Sequence, residues 1–157
     1  MSNKHRHPSR PLPVGQISQR GVGLIEVLVA VLVLAIGLLG IAGLQSRALM
    51  NGQSAFERSQ AVTLTYLMMD AMRANVGAAR TGQYNMNRTC SVSAGGTLIT
   101  NDQRLWMQSL KQTLGNRDAT CGEVICQGDR CAIRIYWDDT RGTGGSDNQM
   151  VETISVL

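Results

Sequence analysis

A single carboxylate, Glu26, lies inside an otherwise apolar stretch that runs from Val22 to Leu44. About 20 consecutive apolar residues are enough for a helix to cross a bilayer, so this stretch qualifies as a membrane span. An ionised carboxylate in hydrocarbon costs about 2.5 kcal/mol or more. A charge kept at that cost predicts a functional contact, in which a partner or a processing enzyme uses the carboxylate.

Four cysteines supply the other candidate chemistry: Cys90, Cys121, Cys126 and Cys131. In an oxidising compartment they would form two disulfides. A two-residue Gly128-Asp129 turn would set Cys126 opposite Cys131 in a non-hydrogen-bonded pair, where side chains approach closely. That favours Cys126–Cys131 and leaves Cys90 for Cys121, although the other two pairings stay open. The cysteine spacings are looser than those of a zinc knuckle, so no metal site is expected.

Other patterns give little support for catalysis or ligand binding. Asp138, Asp139, Asp147 and Asn148 do not have the spacing of a calcium loop, and a solvated connection between strands is the preferred interpretation. Both histidines lie before residue 8, so the rest of the chain offers no Ser-His or Cys-His pair. There is also no Gly-rich phosphate cradle. We therefore expect neither an enzyme nor a cofactor.

The residues before the span form a basic leader. Residues 1–21 contain Lys4, Arg6, Arg10 and Arg20, all three prolines and no acid. Such a segment cannot bury a core, and its charge should stay cytoplasmic, which places the residues after Leu44 across the membrane. Of 15 Lys and Arg, four lie in the leader, so 11 remain against 11 Asp and Glu. The net charge therefore gives no reason to expect nucleic acid as a partner.

The elements that must position these residues are one long helix and a small sheet. A proline-free pattern predicts a helix from Leu24 to about Ala79. Its apolar stripe, which should pack on a globular domain, consists of Phe56, Leu64, Leu67, Met68, Ala71 and Met72. Residues 81–100 are predicted to be a loop, and residues 102–114 a short helix anchored by Trp106. A hairpin through the Gly128-Asp129 turn and a terminal strand from Val151 complete an antiparallel sheet.

The region around the leader resembles a known signal. A Gly that closes a basic leader, a Glu five residues later and an apolar helix resemble the class III signal of type IV prepilins and pseudopilins. The resemblance implies cleavage between Gly21 and Val22 by a prepilin peptidase, methylation of the Val22 amine, and an assembly contact in which Glu26 meets that amine of a neighbouring subunit. Family members usually have Phe and Thr where this chain has Val22 and Gly23. A subunit at the apex would have no such neighbour, so Glu26 suggests a place below another subunit.

A finer resemblance is to the PilV-type minor pilins, or type IV pilus modification proteins. It rests on the leader with Val22–Glu26, the Gly37–Gly40 stretch, and the Trp106 helix before the Tyr136–Asp139 segment. It implies an α+β pilin-like fold, with a spine helix, half of it transmembrane, on an antiparallel sheet head. The expected parts are a cleaved leader (1–21), a transmembrane and assembly segment (22–48), an amphipathic helix (49–80) and a periplasmic head (81–157).

The same resemblance implies a role in initiating pili and in the tip complex, and thereby in adhesion and twitching motility. Expected partners are the prepilin peptidase and methyltransferase, the major and other minor pilins, a tip adhesin and the inner membrane. The protein would be a single-pass inner-membrane protein before it enters the pilus. A minor pseudopilin of a type II secretion system is the nearest alternative. A periplasmic binding domain on a single-span anchor is a more distant one.

Overall fold

The computed structural model describes residues 21–157, so the leader lies outside the described part apart from Gly21. The described residues fall into two units, the first ending at Gly40 and the second covering Ile41–Leu157. The first element, α1, is a 51-residue helix over Leu24–Ala74. Asn75 interrupts it, and a short helix, α2, follows over Val76–Arg80. The predicted end near Ala79 therefore falls inside α2, and Gly82, with a φ of 76°, ends the helical segment.

In the second unit, α1 buries a regular stripe against the head. Its buried residues recur at three- and four-residue spacing: Ala61, Leu64, Thr65, Met68, Met69 and Met72. The predicted stripe was wrong for two members, since Phe56 is 57% exposed and Leu67 is 49% exposed. Leu67 lies about 100° around the helix from Met68. Both faces are apolar in sequence, and only the position of the sheet decides which of them is buried.

The second long helix, α3, covers Leu98–Leu114 and begins before the predicted start at Asp102. A capping box explains the earlier start, because it satisfies two free N–H groups at the helix terminus. The Thr100 N–H donates to Thr97 Oγ1 at 3.2 Å, and the Thr97 N–H donates to Thr100 Oγ1 at 2.9 Å. Trp106 is 1% exposed and its Nε1 donates to the Leu64 carbonyl at 2.8 Å, which confirms it as an anchor of the core.

Four antiparallel strands form one sheet in the order β1-β2-β3-β4. They are β1 (Met86–Thr89), β2 (Cys121–Gln127), β3 (Arg130–Trp137) and β4 (Gln149–Val156). The predicted hairpin and terminal strand are confirmed, with Gly128 at a φ of 60° in the turn. The prediction of a continuous loop over 81–100 was wrong, because β1 lies within it. The α+β pilin-like architecture is confirmed.

The core of the head lies between the sheet and the two long helices. The inner face of the sheet contributes Val124, Ile133, Ile135 and Trp137, all fully buried. Gly122 lies directly under Trp106: a Cβ built on Gly122 would be 2.4 Å from the Trp106 ring. The Thr65 and Thr153 hydroxyls are 2.8 Å apart and join α1 to β4. Within the second unit, these contacts hold the C-terminal part of α1, α3 and the sheet together.

Candidate assembly site and the head

Three of the predicted site residues, Gly21, Val22 and Glu26, lie at or just before the start of α1. Gly21, Val22 and Gly23 precede the helix, which begins at Leu24 and has Glu26 in its first turn. The Gly23 carbonyl accepts from the Glu26 N–H at 2.9 Å and from the Val27 N–H at 3.3 Å. A carboxylate in the first turn also interacts favourably with the positive end of the helix dipole. Glu26 thus lies in the first helical turn, four residues after Val22, which is 69% exposed.

The apolar side chains that follow are not buried by the described part of the chain. From Val22 to Leu44 the large apolar side chains are 52–80% exposed. Residues 24–74 include a window with a mean hydropathy of 2.9, so α1 is long and apolar enough to cross a membrane by length and composition. An exposed apolar surface of this extent marks a membrane or an interaction site. The apolar helix can therefore anchor the chain in a membrane, and Glu26 in its first turn can pair with a cation.

The sequence around the start of α1 shows which class of protein this chain resembles. Residues 17–42 match the prokaryotic N-terminal methylation motif. The match includes Gly21, Val22 and Glu26 and supports a type IV pilin-like or pseudopilin protein. The motif implies processing by a prepilin peptidase and assembly with other pilins, and its family is structural rather than catalytic. No curated protein and no solved structure matches the chain.

Two disulfides staple the head. Cys126 is bonded to Cys131 across the β2–β3 hairpin, and Cys90 is bonded to Cys121, with Cα atoms 4.1 Å apart in each pair. These are the pairs that the hairpin register favours, and within the described residues no cysteine is left free. The Cys90–Cys121 bond ties the segment after β1 to the start of β2. The two bonds therefore fix both ends of β2 to neighbouring segments.

The connection between β3 and β4 contacts α1 through a polar network that the sequence did not indicate. The preferred interpretation, a solvated connection, was wrong for Asp139, which is 1% exposed. The Ser54 hydroxyl donates to Asp139 Oδ2 at 2.6 Å, and Arg58 Nη2 lies 3.5 Å from the same oxygen. Arg141 pairs with the buried Glu57 at 2.6 Å. The partners are 84 and 85 positions apart in the chain, so no local sequence signal indicates that they meet.

Of the residues considered for calcium, Asp138 and Asn148, like Asp139, have protein partners in the structure. Asp138 pairs with Arg117 at 2.6 Å. The N–H and hydroxyl of Thr140 also donate to Asp138, and these two hydrogen bonds, with the Arg117 guanidinium, lower its pKa. Asn148 accepts from Arg88 at 2.7 Å. Across the described residues, no group of three or more His, Cys, Asp or Glu side chains could hold a metal ion.

The outer face of the sheet carries a row of alternating charges. Arg134 contacts Glu123 at 3.2 Å on one side and Glu152 at 2.7 Å on the other, and both contacts raise the Arg134 pKa. The Tyr136 hydroxyl donates to Glu123 at 2.9 Å, and burial together with this bond raises the Tyr136 pKa. Arg88 lies over the Tyr136 ring, 4.1 Å from its centroid. The row runs across three strands and ends at a carboxylate on β4.

Proposed function

We propose that this protein is a minor type IV pilin that helps to initiate pilus assembly and takes part in the tip complex, supporting adhesion and twitching motility. The observation that carries the proposal is Glu26, a lone acid in an exposed apolar helix directly after the Gly21–Val22 junction, inside the matched methylation motif. The disulfide-stapled head gives a stable domain outside the cytoplasm. These features together favour a subunit rather than an enzyme.

The proposed processing begins with removal of residues 1–21. Cleavage between Gly21 and Val22 frees a Val22 amine, which is then methylated and stays cationic. The segment 22–48 would remain in the inner membrane, with residues 49–80 and the head 81–157 in the periplasm, until the subunit enters a pilus. A minor pseudopilin of a type II secretion system shares this processing.

Glu26 would pair with the Val22 amine of the subunit above it as the apolar helices leave the membrane and bundle. In an apolar bundle a charged pair is tolerated when its partners meet, whereas an unpaired carboxylate is strongly unfavourable. The contact would thereby set the axial register of each new subunit. Because an apex subunit has no neighbour above it, we place this protein below another subunit, together with minor pilins and a tip adhesin.

Replacement of Glu26 by Gln tests the assembly contact, because it removes the charge and keeps the size of the side chain. The expected result is a large loss of this protein from sheared pili, while its amount in the membrane is unchanged. Val29→Ala is the matched control, since Val29 is a 52% exposed apolar residue of the same helix, and we expect it to assemble normally. Normal incorporation of Glu26→Gln would show that the register role is wrong.

Deletion of the gene distinguishes a role in the pilus from a role in type II secretion. Loss of surface pili and twitching with intact protein secretion is the result that we expect. Loss of secreted proteins with normal pili would instead identify a pseudopilin.

A further inference from the structure

The two edges of the sheet differ in how well they are protected. At one edge, β1 has only four residues, its register shifts between Met86 and Thr89, and a disulfide follows it at Cys90. At the other edge, β4 has eight residues in unbroken register with β3. It contains no proline and no lysine, the residues that commonly block an edge. A long, regular, unprotected edge is a template for another strand.

The hairpin register shows which backbone groups of β4 are free. Gln127 and Arg130 flank the two-residue turn and form a hydrogen-bonded pair. In an antiparallel ladder, successive residues of a strand direct their N–H and C=O groups alternately to one neighbouring strand and to the other. Arg130 therefore bonds to β2, and Cys131 directs its groups toward β4. It follows that the β4 residues with N–H and C=O groups directed toward β3 are Gln149, Val151, Thr153 and Ser155. The alternate residues Met150, Glu152, Ile154 and Val156 therefore direct theirs to the free edge. Over residues 21–157, none of these four N–H groups has a backbone partner outside the sheet ladders.

The side chains of the same four residues lie on the outer face and define what the edge would accept. Met150, Ile154 and Val156 are 43%, 49% and 68% exposed, respectively. Glu152 ends the charged row of Glu123, Arg134 and Glu152, which has two carboxylates and one guanidinium. Ile154 ends an apolar row with Ile125 and Ala132, which line a shallow depression of about 200 Å³. Each row stops at the edge with a side chain that a further strand could contact.

We propose that the β4 edge binds an extended segment of a second protein by strand addition, and that this segment has an apolar, a basic and an apolar residue at alternate positions. Opposite Glu152 the basic residue continues the alternation of charge, and the apolar residues meet Ile154 and Met150. The inner neighbour of β4 already has this pattern, since Ala132, Arg134 and Tyr136 of β3 lie opposite Ile154, Glu152 and Met150. Backbone hydrogen bonds would supply affinity and the alternate side chains specificity.

A second copy of β4 fits this edge less well than such a segment. Antiparallel pairing centred on Glu152 sets two carboxylates directly opposite each other, which is destabilising. Pairing centred on Thr153 sets Glu152 opposite Ile154 and supplies no cation. The occupant is therefore a different strand with Lys or Arg at its centre.

A synthetic peptide with the sequence of residues 130–137, its cysteine replaced by serine, is a suitable probe. The full chain in detergent micelles is examined by amide hydrogen exchange with and without the peptide. In the free chain we expect the amides of Met150, Glu152, Ile154 and Val156 to exchange faster than those of Val151 and Thr153. The peptide should slow the first set about tenfold or more, as new ladder bonds protect amides from opening. A scrambled peptide should not.

Two variants give the proposal a sharp test. Glu152→Arg should lose binding to this peptide and regain it with a peptide whose central arginine is glutamate. Ile154→Pro removes an N–H that has no bond within the sheet, so the head should stay folded while peptide protection is lost. The proposal is overturned if the four edge amides are already protected in the free chain, if the scrambled peptide protects them equally, or if a folded Ile154→Pro variant still binds.

Discussion

At the scale of single residues, Trp106 packs against Gly122 so closely that there is no room for a larger residue at position 122. A Cβ on Gly122 would lie 2.4 Å from Trp106 Cζ3 and 2.7 Å from Cη2. The Trp106 ring cannot move freely, because its Nε1 is bonded to the Leu64 carbonyl. We therefore expect Gly122→Ala to lower the free energy of unfolding by about 1–3 kcal/mol through overpacking. Urea unfolding of the full chain in micelles, followed by tryptophan fluorescence, measures the change.

Gly52→Ala provides the matched control for that substitution. Gly52 lies within α1, and a Cβ there would meet no atom within 4 Å. Alanine has a higher helix propensity than glycine, so the variant should be more stable by up to about 1 kcal/mol. Equal stability of Gly122→Ala and the wild type would contradict the packing described for Trp106.

A second residue, Tyr84, should give the head a sensitivity to alkaline pH. Its side chain is fully buried and its hydroxyl donates to Asp102 Oδ2 at 2.6 Å. Burial first, and then this bond, raise the Tyr84 pKa. The unfolded chain titrates near pH 10, so the contribution is complete below about pH 10 and is lost as the pH rises through the raised pKa of the folded state.

Tyr84→Phe should remove that part of the pH dependence. At pH 7 the variant loses a hydrogen bond to a carboxylate, with an expected cost of about 1–3 kcal/mol. As the pH rises above about 10, the ordinary tyrosine pKa, and through the raised pKa of the folded state, its unfolding free energy should fall less than that of the wild type. Tyr66→Phe, at a half-exposed position, is the control. An unchanged slope in Tyr84→Phe would show that another group causes the alkaline loss.

At the scale of elements, the contact between the β3–β4 connection and α1 includes a buried carboxylate, Asp139, beside the Arg141–Glu57 pair. Asp139 accepts from Ser54 at 2.6 Å and is 1% exposed. Ser54→Ala leaves that carboxylate with fewer donors, so we expect a loss of about 1–3 kcal/mol and faster hydrogen exchange over residues 138–148. Ser59→Ala, at an exposed position of the same helix, should change stability by less than about 0.5 kcal/mol. Unchanged exchange in Ser54→Ala would refute the contact.

The elements with strong local signals could be predicted from the sequence. The hairpin has apolar residues on both sides of a Gly-Asp turn, and the spine helix is a long proline-free segment. The short strand β1 could not be predicted, because Met86–Thr89 contains two polar residues and a cation and depends on pairing with β2. Likewise, Phe56 and Leu67 look like core residues until the position of the sheet is known.

Likewise, some residues of the candidate site could be predicted from the sequence and others could not. Gly21, Val22 and Glu26 are adjacent in the chain, so their spacing alone indicates a processing and assembly signal. The network of Ser54, Glu57, Asp139 and Arg141 joins residues more than 80 positions apart. No local pattern brings such groups together, because tertiary packing alone determines their proximity. The open β4 edge is also a property of the sheet order rather than of any one segment.

At the scale of the whole molecule, we propose that the chain is cut between Gly21 and Val22 and then methylated. The exposed apolar helix and the disulfide-bonded head are compatible with such a processed subunit. An anchored binding domain would use the same helix but would keep its leader. The N-terminus of the mature protein therefore distinguishes these two accounts at a single residue.

Mass spectrometry of the N-terminal peptide of the protein, purified from its own membrane, shows whether the chain is cut and methylated at Val22. We expect a peptide that begins at Val22 and carries one methyl group on its amine. Gly21→Ala tests the residue before the cleavage site. We expect this variant to stay uncut, because the resemblance to prepilins implies that this residue must be glycine. Recovery of the wild-type protein with residues 1–21 still attached would contradict the account.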